Sequence, residues 1–171
     1  MLSTTREVTT VALLTAVGIA LFVIESFVPM PLPFLKIGFA NISSVVAMLT
    51  LGIPQMFIVV VLRVIAGSLL VGSLFSPGFV LAFCGGVVSA SAMAIARTVS
   101  NRLFSPIGIS LIGSMTHVIT QFCLVLFLYV QSTAVLFLLP LLLLSGFVGG
   151  LVVGVISVRI LPLVQSARLY S

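Results

Sequence analysis

The chain has 171 residues, of which 61% are hydrophobic and only 5% are charged, with seven Lys or Arg against two acids. A soluble domain is roughly a quarter charged, so this composition, with a mean hydropathy of +1.49, excludes a soluble globular fold. Glu7 and Glu25 are the only carboxylates, which leaves paired-carboxylate hydrolysis and an aspartate-rich Mg²⁺ diphosphate site without their ligands. The cations are spread singly along the chain, so no nucleic acid is expected as a partner. The expected solvent is the lipid bilayer.

Six apolar runs, separated by Pro, Gly and charged residues, predict six membrane helices. In chain order they cover residues 8–28, 39–51, 55–71, 77–96, 107–130 and 134–161. The second run is short for a span of about 20 residues. The first is interpreted as a retained helix rather than a cleaved signal peptide, because it is long and contains Glu25. The sequence thus predicts an all-α fold, a six-transmembrane-helix bundle that forms a single integral membrane domain over residues 1–171.

The Lys and Arg residues predict the orientation, because cytoplasmic loops carry an excess of them. With a cytoplasmic N-terminus, Lys36 lies on the outer side, and five cations lie on the inner side: Arg6, Arg97, Arg102, Arg159 and Arg168. The prediction is therefore a multi-pass protein of the bacterial inner membrane with both termini in the cytoplasm.

Two stripes of small residues, each with members four apart, predict close helix packing. Gly146, Gly150 and Gly154 on the last helix are expected to pack within the bundle. The stripe on the first helix could do the same or could dock another membrane protein; its members are Ala12, Ala16 and Ala20.

Polar side chains inside the apolar runs are candidates for function, because an ionisable group at bilayer depth costs at least about 2.5–3.5 kcal/mol. Arg63 falls near the middle of the third run, and His117 and Gln121 share one helix face. We predict an outward-opening polar cavity that binds a small-molecule substrate through Arg63, Lys36, His117, Gln121, Asn41, Glu25, Ser68 and Ser76. The alternative is that Glu25 and Arg63 form a structural pair, with His117 and Gln121 hydrogen-bonded inside the bundle.

The chain lacks the residues that several kinds of chemistry require. Lys36 is the only lysine and lies in a loop, so the chain has no nucleotide-binding motif of the Walker A type. Cys84 and Cys123 show no metal-ligand spacing, so no metal and no cofactor is expected. No catalytic residues are predicted, and any energy for transport has to come from a partner.

Five sequence blocks carry a resemblance to a known family. They are PLPFLKIGFAN at 31–41, Arg63 with GSL at 67–69 and Gly72, SPGF at 76–79, His117 with Gln121, and LLSG at 143–146. Together they resemble the heptaprenyl diphosphate synthase component I family, also called the Gx transporter family. The resemblance covers essentially the whole chain.

That family is similar to the S components of energy-coupling factor (ECF) transporters, which capture substrate with six helices. The similarity implies a transmembrane coupling subunit and two cytoplasmic ATPases as partners. It also implies that Ala12, Ala16 and Ala20 form the docking stripe, and that residues 29–38 and 72–76 gate the substrate.

The sequence is therefore compatible with three candidate functions. The first is a membrane-embedded, S-component-like substrate-binding subunit of a transporter for a small anionic or partly lipophilic molecule. The second is a non-catalytic accessory subunit linked to prenyl diphosphate or menaquinone synthesis, or to a quinone or flavin redox complex. The third, an enzyme acting on an isoprenoid lipid, is disfavoured, because prenyl chain elongation needs aspartate-rich Mg²⁺ clamps and the chain contains no aspartate.

Overall fold

The computed structural model describes residues 2–27, 38–99, 104–130 and 133–170. Every regular element in these ranges is helical, which confirms the predicted all-α bundle. The α-helices of these ranges are α1 Leu2–Phe27, α2 Asn41–Thr50, α3 Ile53–Leu70, α4 Pro77–Val99, α5 Pro106–Leu124 and α6 Leu139–Tyr170. A π-helix, Val125–Val130, prolongs α5, and a 3-10 helix, Thr133–Leu138, precedes α6.

Within the described residues, five helices are long and apolar enough to cross a membrane, so the chain is a multi-pass membrane protein. Helix α2 is the exception, because its 10 residues extend only about 15 Å. The hydrocarbon core of a bilayer is about 30 Å thick. All six predicted spans are helices, but the second, α2, has only half the length needed to cross the membrane.

Helix α2 lies at the centre of the bundle. Every residue from Asn41 to Met48 is buried, and the helix contacts α1, α3, α5 and α6. Val45 and Val46 form the main apolar core together with Met56 of α3 and Met93 of α4. A helix that is buried on all sides is enclosed by protein rather than by lipid. Helix α2 can therefore be short, since its neighbours isolate it from the bilayer.

Left-handed glycines allow the tight turns at the ends of α2 and α3. Gly52 has a φ of +117°, and its N–H donates to the Ala47 carbonyl at 3.1 Å, which closes the end of α2. Gly72 has a φ of +71° just after α3. Side chains with a Cβ rarely adopt such φ values, so glycine is favoured at both turns.

The glycine stripe of α6 packs against α5. A Cβ at Gly146 would lie 2.9 Å from Val118 Cγ2, and a Cβ at Gly154 would lie 2.9 Å from Ile107 Cα. Between them, the Gly150 carbonyl accepts a hydrogen bond from Ser110 Oγ at 2.9 Å. The prediction that this stripe packs within the bundle is confirmed. The same contacts show that α5 and α6 run antiparallel, since Gly154 meets the start of α5 and Gly146 meets its later turns.

The two ends of the bundle differ in their polar contacts. At one end, Gln55 Nε2 at the start of α3 donates to Glu7 Oε1 at the start of α1, at 2.8 Å. We call this the Glu7 end; the start of α5 and the end of α6 also lie there. The opposite end, called the Glu25 end, holds the last turns of α1 and α3. The two carboxylates of the chain therefore lie toward opposite ends.

Replacing Gly154 by Ala is expected to lower the thermal stability of the bundle. The new methyl group would press on Ile107 Cα, a backbone atom that cannot rotate away. Overpacking of this kind costs about 1–3 kcal/mol. Gly78→Ala is the matched control, because only Ser76 Oγ lies near the added Cβ, at 3.6 Å. Thermal unfolding in a mild detergent measures both; equal melting temperatures for the two variants would contradict the packing.

Candidate functional site

Arg63 of α3 is buried in the interior of the bundle, with 3% of its surface exposed. It follows the start of α3 by about 15 Å, which places it near the middle of a hydrocarbon layer about 30 Å thick. Its Nη2 donates to Asn41 Oδ1 at 2.5 Å. Its Nε is buried and has no hydrogen-bond partner in the part of the chain that the structure describes. The guanidinium therefore retains an N–H donor for another group.

Gly18 of α1 makes room for the aliphatic part of Arg63. A Cβ at Gly18 would lie 3.1 Å from Arg63 Cδ and 2.5 Å from Ser43 Oγ. A side chain at this position would therefore press on Ser43 of α2 and Arg63 of α3 and force them to shift. Gly18 was not predicted from the sequence, because a single glycine inside an apolar helix has no pattern that marks it.

Glu25 of α1 is buried near Arg63. The backbone N–H of Phe39 donates to Glu25 Oε1, and the negative charge of Glu25 acts on the Arg63 guanidinium. Arg63 is hydrogen-bonded to Asn41, and Glu25 is hydrogen-bonded to Phe39. The two charged side chains therefore contact residues that lie two positions apart at the start of α2. The structure thus brings together three of the residues predicted from the sequence: Glu25, Asn41 and Arg63.

His117 of α5 reaches the same region from the other side. A Cβ at Gly85 of α4 would lie 2.9 Å from His117 Cε1 and 3.2 Å from Gln121 Cγ. His117 and Gln121 therefore pack side by side against Gly85, as their spacing of four residues predicts. Gln121, however, lines a separate small apolar cavity with Val125 and others, and not the cavity that contains Arg63.

A cavity of about 30 Å³ lies between these side chains. Its lining combines four polar residues with apolar ones: Phe22, Glu25, Gly38, Ala40, Asn41, Arg63, Val64, Ala82 and His117. A cavity needs about 10–15 Å³ for each water molecule, so this one accommodates about two. It can hold a small polar group, and a larger ligand requires its walls to move apart.

Helix α2 presents its N-terminus to this cavity, since Ala40 and Asn41 line it. No side chain caps this end. Instead, the Asn41 N–H donates to the Gly38 carbonyl at 2.9 Å, and the Ile42 N–H donates to the Phe39 carbonyl at 3.0 Å. A helix N-terminus carries about half a positive charge. The cavity therefore lies between a buried guanidinium and the positive end of a helix that starts near the middle of the bilayer.

Ser68 and Ser76, two further residues predicted to bind substrate, are not among the described residues that line this cavity. Lys36 lies outside the described residues. Ser68 is fully buried, and its carbonyl accepts a hydrogen bond from the Ser73 N–H at 2.8 Å, which caps the end of α3. Ser76 Oγ accepts from the Phe79 N–H at 3.3 Å, at the start of α4. These serines shape the turn between α3 and α4, and a role in binding substrate stays a prediction.

Helix α1 has two faces of different character. Gly18, Phe22 and Glu25 face the bundle and are buried, whereas the alanines of the predicted docking stripe are all exposed: Ala12, Ala16 and Ala20. The alanine stripe is therefore not used for packing among the described residues. In the same ranges, no group of three His, Cys, Asp or Glu residues is placed to hold a metal ion.

Replacing Asn41 by Ala is expected to destabilise the bundle by about 1–3 kcal/mol, because the buried Nη2 of Arg63 would lose its acceptor. Asn41→Asp is the matched control, since the aspartate keeps an acceptor oxygen at that position. Thermal unfolding in detergent measures the difference. If Asn41→Ala melted at the wild-type temperature, the hydrogen bond would contribute nothing to the fold.

The residues that line the Arg63 cavity lie within a part of the chain that matches a known family. The family model for heptaprenyl diphosphate synthase component I matches residues 14–160, which include Glu25, Asn41, Arg63 and His117. No curated protein and no solved structure matches the chain. Because the family model covers well over half of the 171 residues, the chain belongs to the heptaprenyl diphosphate synthase component I family.

Proposed function

We propose that the protein is a non-catalytic, membrane-embedded substrate-binding subunit of a transporter, similar to the S components of ECF transporters. Its cargo would be a small anionic or partly lipophilic molecule. The observation that carries this proposal is the buried Arg63, whose Nε has no partner among the described residues and which lines a cavity in the membrane interior. An ionisable side chain at this depth is costly and generally marks a substrate or ion pathway.

The exposed alanine stripe of α1 supports a partner in the membrane. Small residues let helix backbones approach closely in lipid, where no hydrophobic driving force brings helices together. Ala12, Ala16 and Ala20 are all exposed, while the opposite face of α1 is occupied by the bundle. We propose that a transmembrane coupling subunit docks on this stripe, and that two cytoplasmic ATPases supply the energy.

The same proposal assigns the Glu7 end to the cytoplasm. Arg6, Arg97 and Arg159 belong to helix segments at that end, and an excess of Lys and Arg favours the cytoplasmic side. The Arg63 cavity would then lie between the middle of the inner membrane and its outer surface. Substrate would enter from outside the cell.

The family match favours a second candidate, an accessory membrane subunit of heptaprenyl diphosphate synthase or of a related quinone-linked complex. In that case Glu25 and Arg63 brace the bundle and no small molecule binds between them. Catalysis would belong to another subunit, because the chain contains no aspartate for Mg²⁺-diphosphate chemistry.

The two candidates predict different partners in a pull-down. The protein is tagged after Ser171 and purified from native membranes in a mild detergent, and mass spectrometry identifies bound proteins and small molecules. The transporter proposal expects a coupling membrane subunit, two ATPases and a bound small molecule. Recovery of a prenyltransferase subunit or redox proteins, without ATPases or a small molecule, would instead establish the accessory subunit.

Ala16→Leu is expected to remove the coupling subunit and the ATPases from the purified complex, because a leucine in the stripe keeps the helix backbones apart. Val88→Leu is the control, since Val88 is an exposed apolar residue of α4, away from α1. Quantitative mass spectrometry of the two pull-downs measures the ratio of partner to bait. Equal recovery in both variants would remove the alanine stripe from the interface.

Arg63→Ala is expected to abolish the small molecule's co-purification, and a melting temperature measured on the purified variant establishes whether the bundle is still folded. Hydrogen bonds to charged groups contribute about 1.5–3 kcal/mol, which corresponds to a loss of roughly tenfold to more than a hundredfold in affinity. Arg159→Ala, at an exposed position of the Glu7 end, serves as the control. Retention of the molecule by Arg63→Ala at the wild-type level would place its binding site elsewhere.

A further inference from the structure

Among the described residues that line the Arg63 cavity, the charges nearly cancel. Arg63 contributes one positive charge and Glu25 one negative charge, and both line the cavity. The N-terminus of α2 adds about half a positive charge. His117 is the remaining titratable residue in the lining. With a neutral His117, the described lining therefore carries only a small positive excess.

This balance limits the charge that a ligand can bring into the cavity. A charge in the membrane interior is stable only when opposite charges and hydrogen bonds compensate it. One negative charge is close to the positive excess, and it can accept a charge-assisted hydrogen bond from Arg63 Nε. With His117 neutral, each additional negative charge would have no counterpart among the described lining residues.

The hydrogen-bond donors around the cavity also limit the negative charge that a ligand can bring. Arg63 Nη2 already donates to Asn41, and the Asn41 and Ile42 N–H groups already bond carbonyls of the preceding turn. Helix α2 therefore contributes its electric field to the cavity rather than free donors. The volume of about 30 Å³ suits a group with two oxygens, and a diphosphate has several more.

We propose that this cavity selects a group with a single negative charge, of the carboxylate class, and rejects a diphosphate. The inference rests on the proposed function of the cavity as a ligand-binding site. It has a consequence for the family's description, because the headgroup of a prenyl diphosphate would then be the wrong ligand for this chain. A carboxylate would accept from Arg63 Nε, with its charge facing the start of α2.

The test compares headgroups on one carbon skeleton. Geranic acid, geranyl phosphate and geranyl diphosphate carry increasing negative charge, and geranyl amide is the neutral reference. Each is titrated into the purified full-length protein in detergent, and binding is measured by calorimetry. The wild-type protein is expected to bind geranate at least about tenfold more tightly than the diphosphate. Arg159→Gln, away from the cavity, should give the same order and controls for general electrostatics.

Two isosteric variants change the charge of the cavity by one unit in known directions. Glu25→Gln removes the resident negative charge, so the preference should move by one charge, from geranate toward geranyl phosphate. Asn41→Asp keeps an acceptor for Arg63 and adds a negative charge, so geranate binding should fall at least about tenfold while the amide is retained. Melting temperatures near the wild-type value establish that both variants are folded.

Three results would overturn the inference: tighter binding of the diphosphate than of geranate, an unchanged order in Glu25→Gln, or no binding of any of the four compounds. These results are distinguishable from a failure of the proposed transporter function. If the wild type binds geranate in the expected order but no coupling subunit or ATPase co-purifies, the charge selectivity holds and the transporter assignment fails. If the partners co-purify but the diphosphate binds best, the transporter assignment survives and the selectivity fails.

Discussion

The hydrogen bond from Arg63 to Asn41 is the contact on which the polar half of the bundle depends. It joins the one charged side chain of α3 to the first residue of α2, at a depth where water is scarce. Glu25 adds a second tie to the same segment through the Phe39 N–H. Because both charges bond residues at the start of α2, the position of that helix and the shape of the cavity are set together.

Close packing and polar chemistry are separated along the helices. Toward the Glu7 end, glycines and serines bring α4, α5 and α6 into backbone contact, as in the hydrogen bond from Ser89 Oγ to the Gly113 carbonyl at 2.8 Å. Toward the Glu25 end, single glycines instead make room for side chains that line the cavity: Gly18 for Arg63 and Gly85 for His117. Glycine thus supports close helix packing in one half and a small cavity in the other.

The helices could be predicted from the sequence because apolar runs, prolines and glycines mark their ends directly. The position of α2 could not, since a short apolar run has the same composition whether lipid or protein surrounds it. The spacing of His117 and Gln121 correctly predicted a shared face, but periodicity does not resolve which of two adjacent cavities each side chain enters. Ser68 and Ser76 were grouped with Arg63 by proximity in sequence; in the structure the Ser68 carbonyl and the Ser76 hydroxyl bond the turn between α3 and α4, and a role of the two residues in binding substrate stays a prediction.

The shortness of α2 also constrains how the chain enters the bilayer during synthesis. A helix of 10 residues has too little apolar length to be inserted as an independent segment. The tight turn at Gly52 joins α2 to α3, so the two form one helical hairpin. This hairpin contains both Arg63 and its hydrogen-bond acceptor Asn41. Membrane insertion of the third helix and burial of the second are therefore expected to occur together.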